Sequence, residues 1–320
     1  MMESTPPQPR RIGTALARWL DSSAGGALDD DDQHIDLLRT LPFIALHLAC
    51  VAVIWVGVSG FAVATALALY AIRMFAITGF YHRYFSHRAF RASRGVQFVF
   101  AAIGASSVQR GPLWWAAHHR NHHRHAEGEL DPHSPVRRGF LWSHVGWFLT
   151  SRGFRTDWRM IRDLARFPEL RLLDRFDILM PVVLAVALYA LGHYLSIAQP
   201  QLATNGMQLV VWGFCISTVL LFHATFMINS LAHRFGSRRF GTRDASRNNW
   251  LLALITFGEG WHNNHHRFPG AARQGLHWWE FDVTYYGLSL LSWLGLVHDL
   301  RPYPASLRAV RRHGADGGSA

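Results

Sequence analysis

An all-α, multi-pass membrane protein that crosses the bilayer four times is the fold the sequence predicts, and three observations predict it. Half of the 320 residues are hydrophobic. They gather in blocks rather than in the short alternations of a soluble core, and four blocks are long enough to cross a hydrocarbon layer ~30 Å thick as helices of ~20 residues. The blocks form two pairs, residues 41–58 with 61–81 and residues 178–197 with 207–228. Ser59-Gly60 joins the first pair, and AQPQLATNG, which has no charged residue, joins the second, so each pair predicts a helical hairpin. Arg73 is the only formal charge in the first pair. Its nearness to one end of its helix predicts a guanidinium that snorkels to the interface.

The remaining segments follow from length and composition. Residues 1–40, with Pro, Ser, Gly and the run Asp29 to Asp32, predict a partly disordered tail, and the Arg-rich then Gly-rich residues 301–320 predict another. Residues 41–300 between them predict one domain. Its shorter apolar stretches, near residues 96–108, 251–257 and 285–297, suit surface or buried helices better than spans. The formal net charge is +11, and every basic residue is Arg. Sixteen of these lie between His82 and Phe176 while the short hairpin loops have none, which places the central segment and both termini in the cytoplasm. With four spans, anionic lipid is the expected counter-charge, and nucleic-acid binding is excluded. Cys50 and Cys215 are too few to hold an iron–sulfur cluster, so electrons for any redox reaction must come from another protein.

Eight of the twenty histidines form three clusters: His82 with His87, then His119, His122 and His123, then His262, His265 and His266. An even number of spans separates the clusters, so all three share one face of the membrane. The second and third have i, i+3, i+4 spacing, which gathers three imidazoles on one side of a helix. His82 and His87 are about 140° apart on an ideal helix; they either serve two different ions or sit where the helix loosens. Asn229 and His233, at the end of the fourth span, point to the same collection. Nine imidazoles exceed what one ion takes and suit two. Iron, copper, zinc and nickel all accept such a donor set.

Other residues take lesser roles. Asp131 and Glu259 are candidates to orient ligand imidazoles by accepting their second N–H. Trp147 and Trp261 are candidates to line a substrate path, whereas Trp114 and Trp115 read as interfacial anchors. His47, His193 and His223 read as core residues with one hydrogen bond each, and His118 and His125 as solvent-facing or supporting neighbours of the second cluster. His133 and His144 have no assigned place.

With these residues assembled, the chain resembles the membrane-bound fatty acyl desaturases of the stearoyl-CoA desaturase type, in a bacterial-like form. The matching segments are ITGFYHRYFSHRAF, WWAAHHRNHHRHAEGELDPHSP followed by FLWSHVGW, NSLAHRFG, and GEGWHNNHHRFP, spread over about residues 41–300. The resemblance implies a di-iron centre in a cytoplasmic helical cap over four membrane helices. Its ligands would be His82, His87, His119, His122, His123, His233, His262, His265 and His266, with Asn229 acting through water. It implies dioxygen as co-substrate and a cis double bond placed in a long saturated acyl chain, often between the ninth and tenth carbons. The carrier is acyl-CoA, acyl carrier protein or a membrane lipid; Gln109-Arg110-Gly111-Pro112-Leu113-Trp114-Trp115 departs from the polar residues by which animal relatives contact coenzyme A, so the carrier stays open. No HPGG-type haem element is present, so a separate ferredoxin/reductase or cytochrome b5-like donor is expected, in a bacterial inner membrane. Tyr70, three helical turns or roughly 18 Å from His82, falls where relatives close the acyl tunnel. Two alternatives compete: a hydroxylase or alkane monooxygenase on the same metal scaffold, and a non-enzymatic metal-binding membrane protein.

Overall fold

The computed structural model describes residues 17, 19–22 and 34–304; most of the two expected tails lies outside these residues. Four helices are long and apolar enough to cross a membrane: Leu37–Val56 (α1), Gly60–Ser86 (α2), Leu179–Ala198 (α7) and Gly206–Ser230 (α8). Between them and after them come Arg94–Ala105 (α3), Pro112–His125 (α4), Pro135–Leu141 (α5), Pro168–Arg175 (α6), Trp250–Ile255 (α9), His262–Arg267 (α10) and Val283–Trp293 (α11). Strands Arg91–Ala92 (β1) and Val297–His298 (β2) pair antiparallel, tying the segment after α2 to the segment after α11.

Two of the spans run four or five residues past one end of their apolar blocks, each for a local reason. Asp36 caps α1 by accepting from the backbone of Arg39, so the helix begins four residues before the apolar block. Pro42 sits inside that helix and has no N–H for the Leu38 carbonyl. The indole Nε1 of Trp19 fills the gap, donating to Leu38 at 2.8 Å, and so fastens residues 19–22 of the expected tail to α1. In α2 the regular helix stops at Phe75, and residues Ala76–Ser86 continue as a wider π-helix, every one of them buried.

The hairpin turns are tied rather than loose. Ser59 caps α2 through Ala62 and donates to Gln208 of α8, while the Gln208 amide returns to the Val56 carbonyl. At the α7–α8 crossing, a Cβ on Gly192 would stand 2.4 Å from the Asn205 carbonyl oxygen, so only glycine allows this approach. Lipid-facing positions carry bare apolar side chains, among them Ile54, Trp55, Val186 and Ile197. α3, α9 and α11 are too short to span, as the sequence predicts, and α9 keeps Trp250, Leu251 and Leu254 exposed.

Arg73 departs from expectation. It is 1% exposed and does not snorkel: its guanidinium bonds the carbonyls of Leu69 and Ser106 and the hydroxyls of Ser217 and Thr218. Polar groups of α8 and the α3 end thus supply the acceptors that the interface would otherwise provide, pinning α2 to both.

Arg120 of α4 plays the corresponding part in the cap. It bonds the carbonyls of Phe85, Ser86 and Met160 and the carboxylate of Asp163, which also holds Arg88. Burial alone would raise the Asp163 carboxyl; the hydrogen bonds from Arg120 and Arg88 outweigh it and hold it down at about 2. A depressed carboxyl stabilises the fold above its ordinary value and loses that contribution as the pH falls through its folded value. Asp163→Asn is therefore expected to lower thermal stability by a constant amount from pH 7 to about 4, the gap closing toward pH 2. Thermal denaturation of the detergent-solubilised protein and variant checks this; a pH-independent gap would contradict it.

Candidate metal centre

The π-helix at the end of α2 resolves the five-residue spacing of the first cluster. A turn wider than 3.6 residues returns i and i+5 to one side, and the His87 amide indeed bonds the His82 carbonyl. His82 and His87 accordingly belong to one group with His119, His123 and His265, in which one ring nitrogen of each lies within 4.8 Å of the others. A second group on the same criterion contains His122, His233, His262 and His266. All nine histidines named from the sequence fall into these two groups, five and four.

The two HxxHH clusters interlock. In α4 the i, i+4 pair His119 and His123 serves the five-histidine group, while His122 at i+3 turns to the other. In α10 the pair His262 and His266 serves the four-histidine group, and His265 crosses over. Pairs from different elements approach closely, His87 to His119 at 2.7 Å, His265 to His123 at 2.9 Å, His82 to His265 and His233 to His262 at 3.0 Å. Imidazoles with nitrogens converging at these distances match the donor set of nitrogen-loving transition metals. The nitrogens His122 Nε2 and His266 Nε2 are buried with no hydrogen-bond partner, as a metal-facing lone pair would be.

Carboxylates hold the far nitrogens of four of these imidazoles. Asp131 reaches His122 Nδ1 at 3.0 Å and Glu259 contacts His82 Nδ1. Glu127 on His233 and Asp244 on His266, at 2.9 and 2.8 Å, were not singled out from the sequence. Neither has helical spacing from its histidine, so no local signal marks them. Such partners fix the ring and its tautomer. Burial, helped by the neighbouring imidazoles, pushes His87, His119, His123, His262 and His265 well below the ordinary histidine value, so they are neutral at pH 7. At His122 burial opposes charge, but the Asp131 carboxylate more than offsets it and the value rises.

The scaffold around the centre is polar and buried. Asn263 and Asn264, between the histidines of α10, accept from the backbone of Arg239 and Phe240 and donate to Gln274 and Glu280. Arg83 is 1% exposed and joins Glu259 to Asp282 at 3.0 and 2.9 Å, linking the π-helix to the third histidine segment. At the other cluster Asp174 of α6 accepts from the first backbone amides of α4, Leu113 and Trp114. A Cβ on Gly111 would overlap the Asp174 backbone at 2.3 Å.

A cavity of about 250 Å3 leads to the centre from the ends of α1, α7 and α8 that lie nearest His119. Arg39, Arg110 and Asp177 stand among its polar lining, Phe43, Phe222 and Phe226 form an apolar wall, and His119 and Asn229 lie on it. Gln109 donates to Thr225 across it at 2.9 Å. Trp147 lines it, stacked on Trp114 at 5.6 Å. Trp114 and Trp115 differ from the expected interfacial anchors: Trp114 is buried and donates to the Gly153 carbonyl, and Trp115 stacks on His119 at 4.9 Å. His133, unplaced by sequence, stacks on His122 at 4.3 Å and also lines the cavity, as does His118. Asn229 offers its carbonyl to Ser143. Trp261 is buried beside α10 with its indole on the Phe281 carbonyl, and the Tyr70 hydroxyl bonds the Ile255 carbonyl; neither is among the residues that line this cavity.

The fatty acid desaturase family model matches residues 38–288. An acyl-CoA 5-desaturase of Anemone leveillei is 36% identical over 270 residues, covering 83% of this chain and 79% of its own length. An sn-1 stearoyl-lipid 9-desaturase of Anabaena variabilis is 37% identical over 270 residues, 83% of this chain and 94% of its own. An sn-2 palmitoyl-lipid 9-desaturase of Nostoc sp. (strain 36) reaches 40% over 222 residues, 68% and 73% of the two chains.

Proposed function

Because this chain belongs to the fatty acid desaturase family and is therefore an oxidoreductase, we propose that it places a cis double bond in a long saturated acyl chain, using two iron ions and dioxygen. The observation that carries the reading is the junction of the apolar-walled cavity with the nine-imidazole centre at His119 and Asn229. Methylene C–H bonds give an acid or base no handle, so positioning must be combined with a strong metal-centred oxidant. The ions would supply that oxidant, spending one dioxygen, two electrons and two protons to remove two hydrogens and release two waters. His82, His87, His119, His123 and His265 would hold one ion; His122, His233, His262 and His266 the other, with Asn229 beside it through water. The residues of the chain orient the ligands, exclude bulk water and align the substrate. Asp131 and Glu259, with Glu127 and Asp244, keep the ligand rings turned inward.

The acyl carrier is a coenzyme A thioester or a lipid ester. Relatives named for each are about equally similar, and both carriers present a carbonyl. Trp147 Nε1 and His133 Nδ1, buried without hydrogen-bond partners in residues that line the cavity, suit such a carbonyl at the head of the chain. The electrons come from a separate donor of ferredoxin or cytochrome b5 type at the cytoplasmic face of a bacterial inner membrane. Trp261 would act on the substrate path through its packing beside α10, and Tyr70 would end the acyl channel beyond the lined cavity. Tyr70→Ala is expected to admit longer chains, read as a shift in product chain length; an unchanged profile would remove Tyr70 from the channel.

Mass spectrometry of lipids from a host expressing the protein tests the reaction. Fatty acids two hydrogens lighter, dependent on dioxygen, are expected. Added oxygen would favour the hydroxylase alternative and overturn the desaturase reading.

A further inference from the structure

Three histidines outside the centre meet one another. His47 of α1 and His223 of α8 read from sequence as isolated core residues with one hydrogen bond each, but with His144 in the turn after α5 they form a continuous row. The His47 end fixes the first link. Nδ1 of His47 lies 2.8 Å from the Phe43 carbonyl, which only accepts, so the proton of His47 is on Nδ1 and Nε2 is an acceptor. Nε2–H of His223 donates to it at 3.1 Å. Nδ1 of His223 lies 3.0 Å from Nε2 of His144, and Nδ1 of His144 lies 3.1 Å from the Ser230 hydroxyl, which itself donates to the Phe226 carbonyl. His223 turns opposite nitrogens to its two neighbours, so no single ion reaches all three rings and the row is not a third metal site.

The row backs the aromatic wall of the cavity. Phe43 stands 4.4 Å from His47, and Phe226 5.8 Å from His144. Phe148 closes the wall at 5.6 Å from Phe43 and 4.9 Å from Phe226, and Phe43 stacks on Phe222 at 5.8 Å. All four phenylalanines line the cavity. The three histidines come from the three elements that build this wall, α1, α8 and the turn after α5. Apolar packing between membrane helices resists sliding weakly, because lipid offers the same contacts, whereas directed hydrogen bonds fix the spacing.

We propose that the His47–His223–His144 row gauges this wall and so determines how far the acyl chain advances toward the metal centre and which pair of carbons it presents. The proposal rests on an acyl chain occupying this cavity. The three histidines are positioning residues: they touch neither the metal ligands nor the lumen, and act through the phenylalanines.

The test is the positional-isomer and chain-length profile of products made by His223→Leu, with bound iron measured on the same preparation. Iron per chain is expected to match the unsubstituted protein, while the ratio of major to minor double-bond positions falls by about fivefold, the scale of one net hydrogen bond. His223→Asn, whose amide both donates and accepts, is expected to recover most of the original ratio. An unchanged profile in His223→Leu, even with lower turnover, would overturn the proposal by reducing the row to a structural tie. Should His223→Leu fail to accumulate, His47→Leu removes only the terminal link and is read against the same two outcomes. Absence of any unsaturated product from the unsubstituted protein would overturn the acyl reading itself, and the role of the row with it.

Discussion

Alanine at position 122 is expected to abolish product formation while the protein remains inserted in the membrane. His122 is 1% exposed, its Nδ1 is held by Asp131 and its Nε2 is buried without a partner. Removing the ring leaves three imidazoles in the second group and widens access for water. Losing only an orienting neighbour of a ligand typically costs 10–100-fold in metal affinity or activity, so loss of the ligand itself is expected to exceed about 100-fold. The fold survives because Asp131 keeps the backbone amides of Glu127 and His133, and no span depends on the ring. Product assay with metal analysis on the purified variant checks both halves; full activity would refute the ligand assignment.

Arg83→Met is expected to have the larger effect on stability. The arginine is buried between Glu259 and Asp282 and also bonds the Ala272 carbonyl. Its removal leaves two carboxylates in a site with almost no solvent, and breaking a buried ion pair from one side costs about 3–5 kcal/mol. Glu259 also contacts His82, so the loss reaches the centre. The variant is expected to lose its folded peak in detergent at markedly lower temperature and to retain less metal. Replacing Asp282 by Asn in the same background should recover part of the loss, because it removes one of the stranded charges. A variant as stable as the parent would contradict the network.

The spans and the nine clustered histidines were legible because they are local signals. A run of about twenty apolar residues cannot be mistaken for much else, and HxxHH shows its face through helical spacing alone. The division of the nine histidines into five and four was not legible. It depends on two short helices exchanging their i+3 histidines across a gap, and on a π-helix whose extra residue per turn leaves no mark in composition. Glu127 and Asp244 escaped notice for a related reason, since each meets its histidine through tertiary folding. Arg73 and the Trp114-Trp115 pair misled because charge and aromatic residues near a span end usually meet the interface; here Ser217, Thr218 and the Ser106 carbonyl hold the first inside, and the cap covers the second. Trp19 shows the same limit in reverse. The Pro42 gap in α1, together with the bonds of Ser22 to Asp174 and of Asp21 to Arg175, gives an indole of the N-terminal tail a fixed place.

The central claim is that the nine imidazoles form a two-iron centre that desaturates an acyl chain. The most direct test is metal analysis of an active, purified preparation. Two irons per chain are expected, with activity rising in proportion to iron content. Activity that persists in protein carrying less than one iron per two chains, or that follows a different metal, would contradict the account.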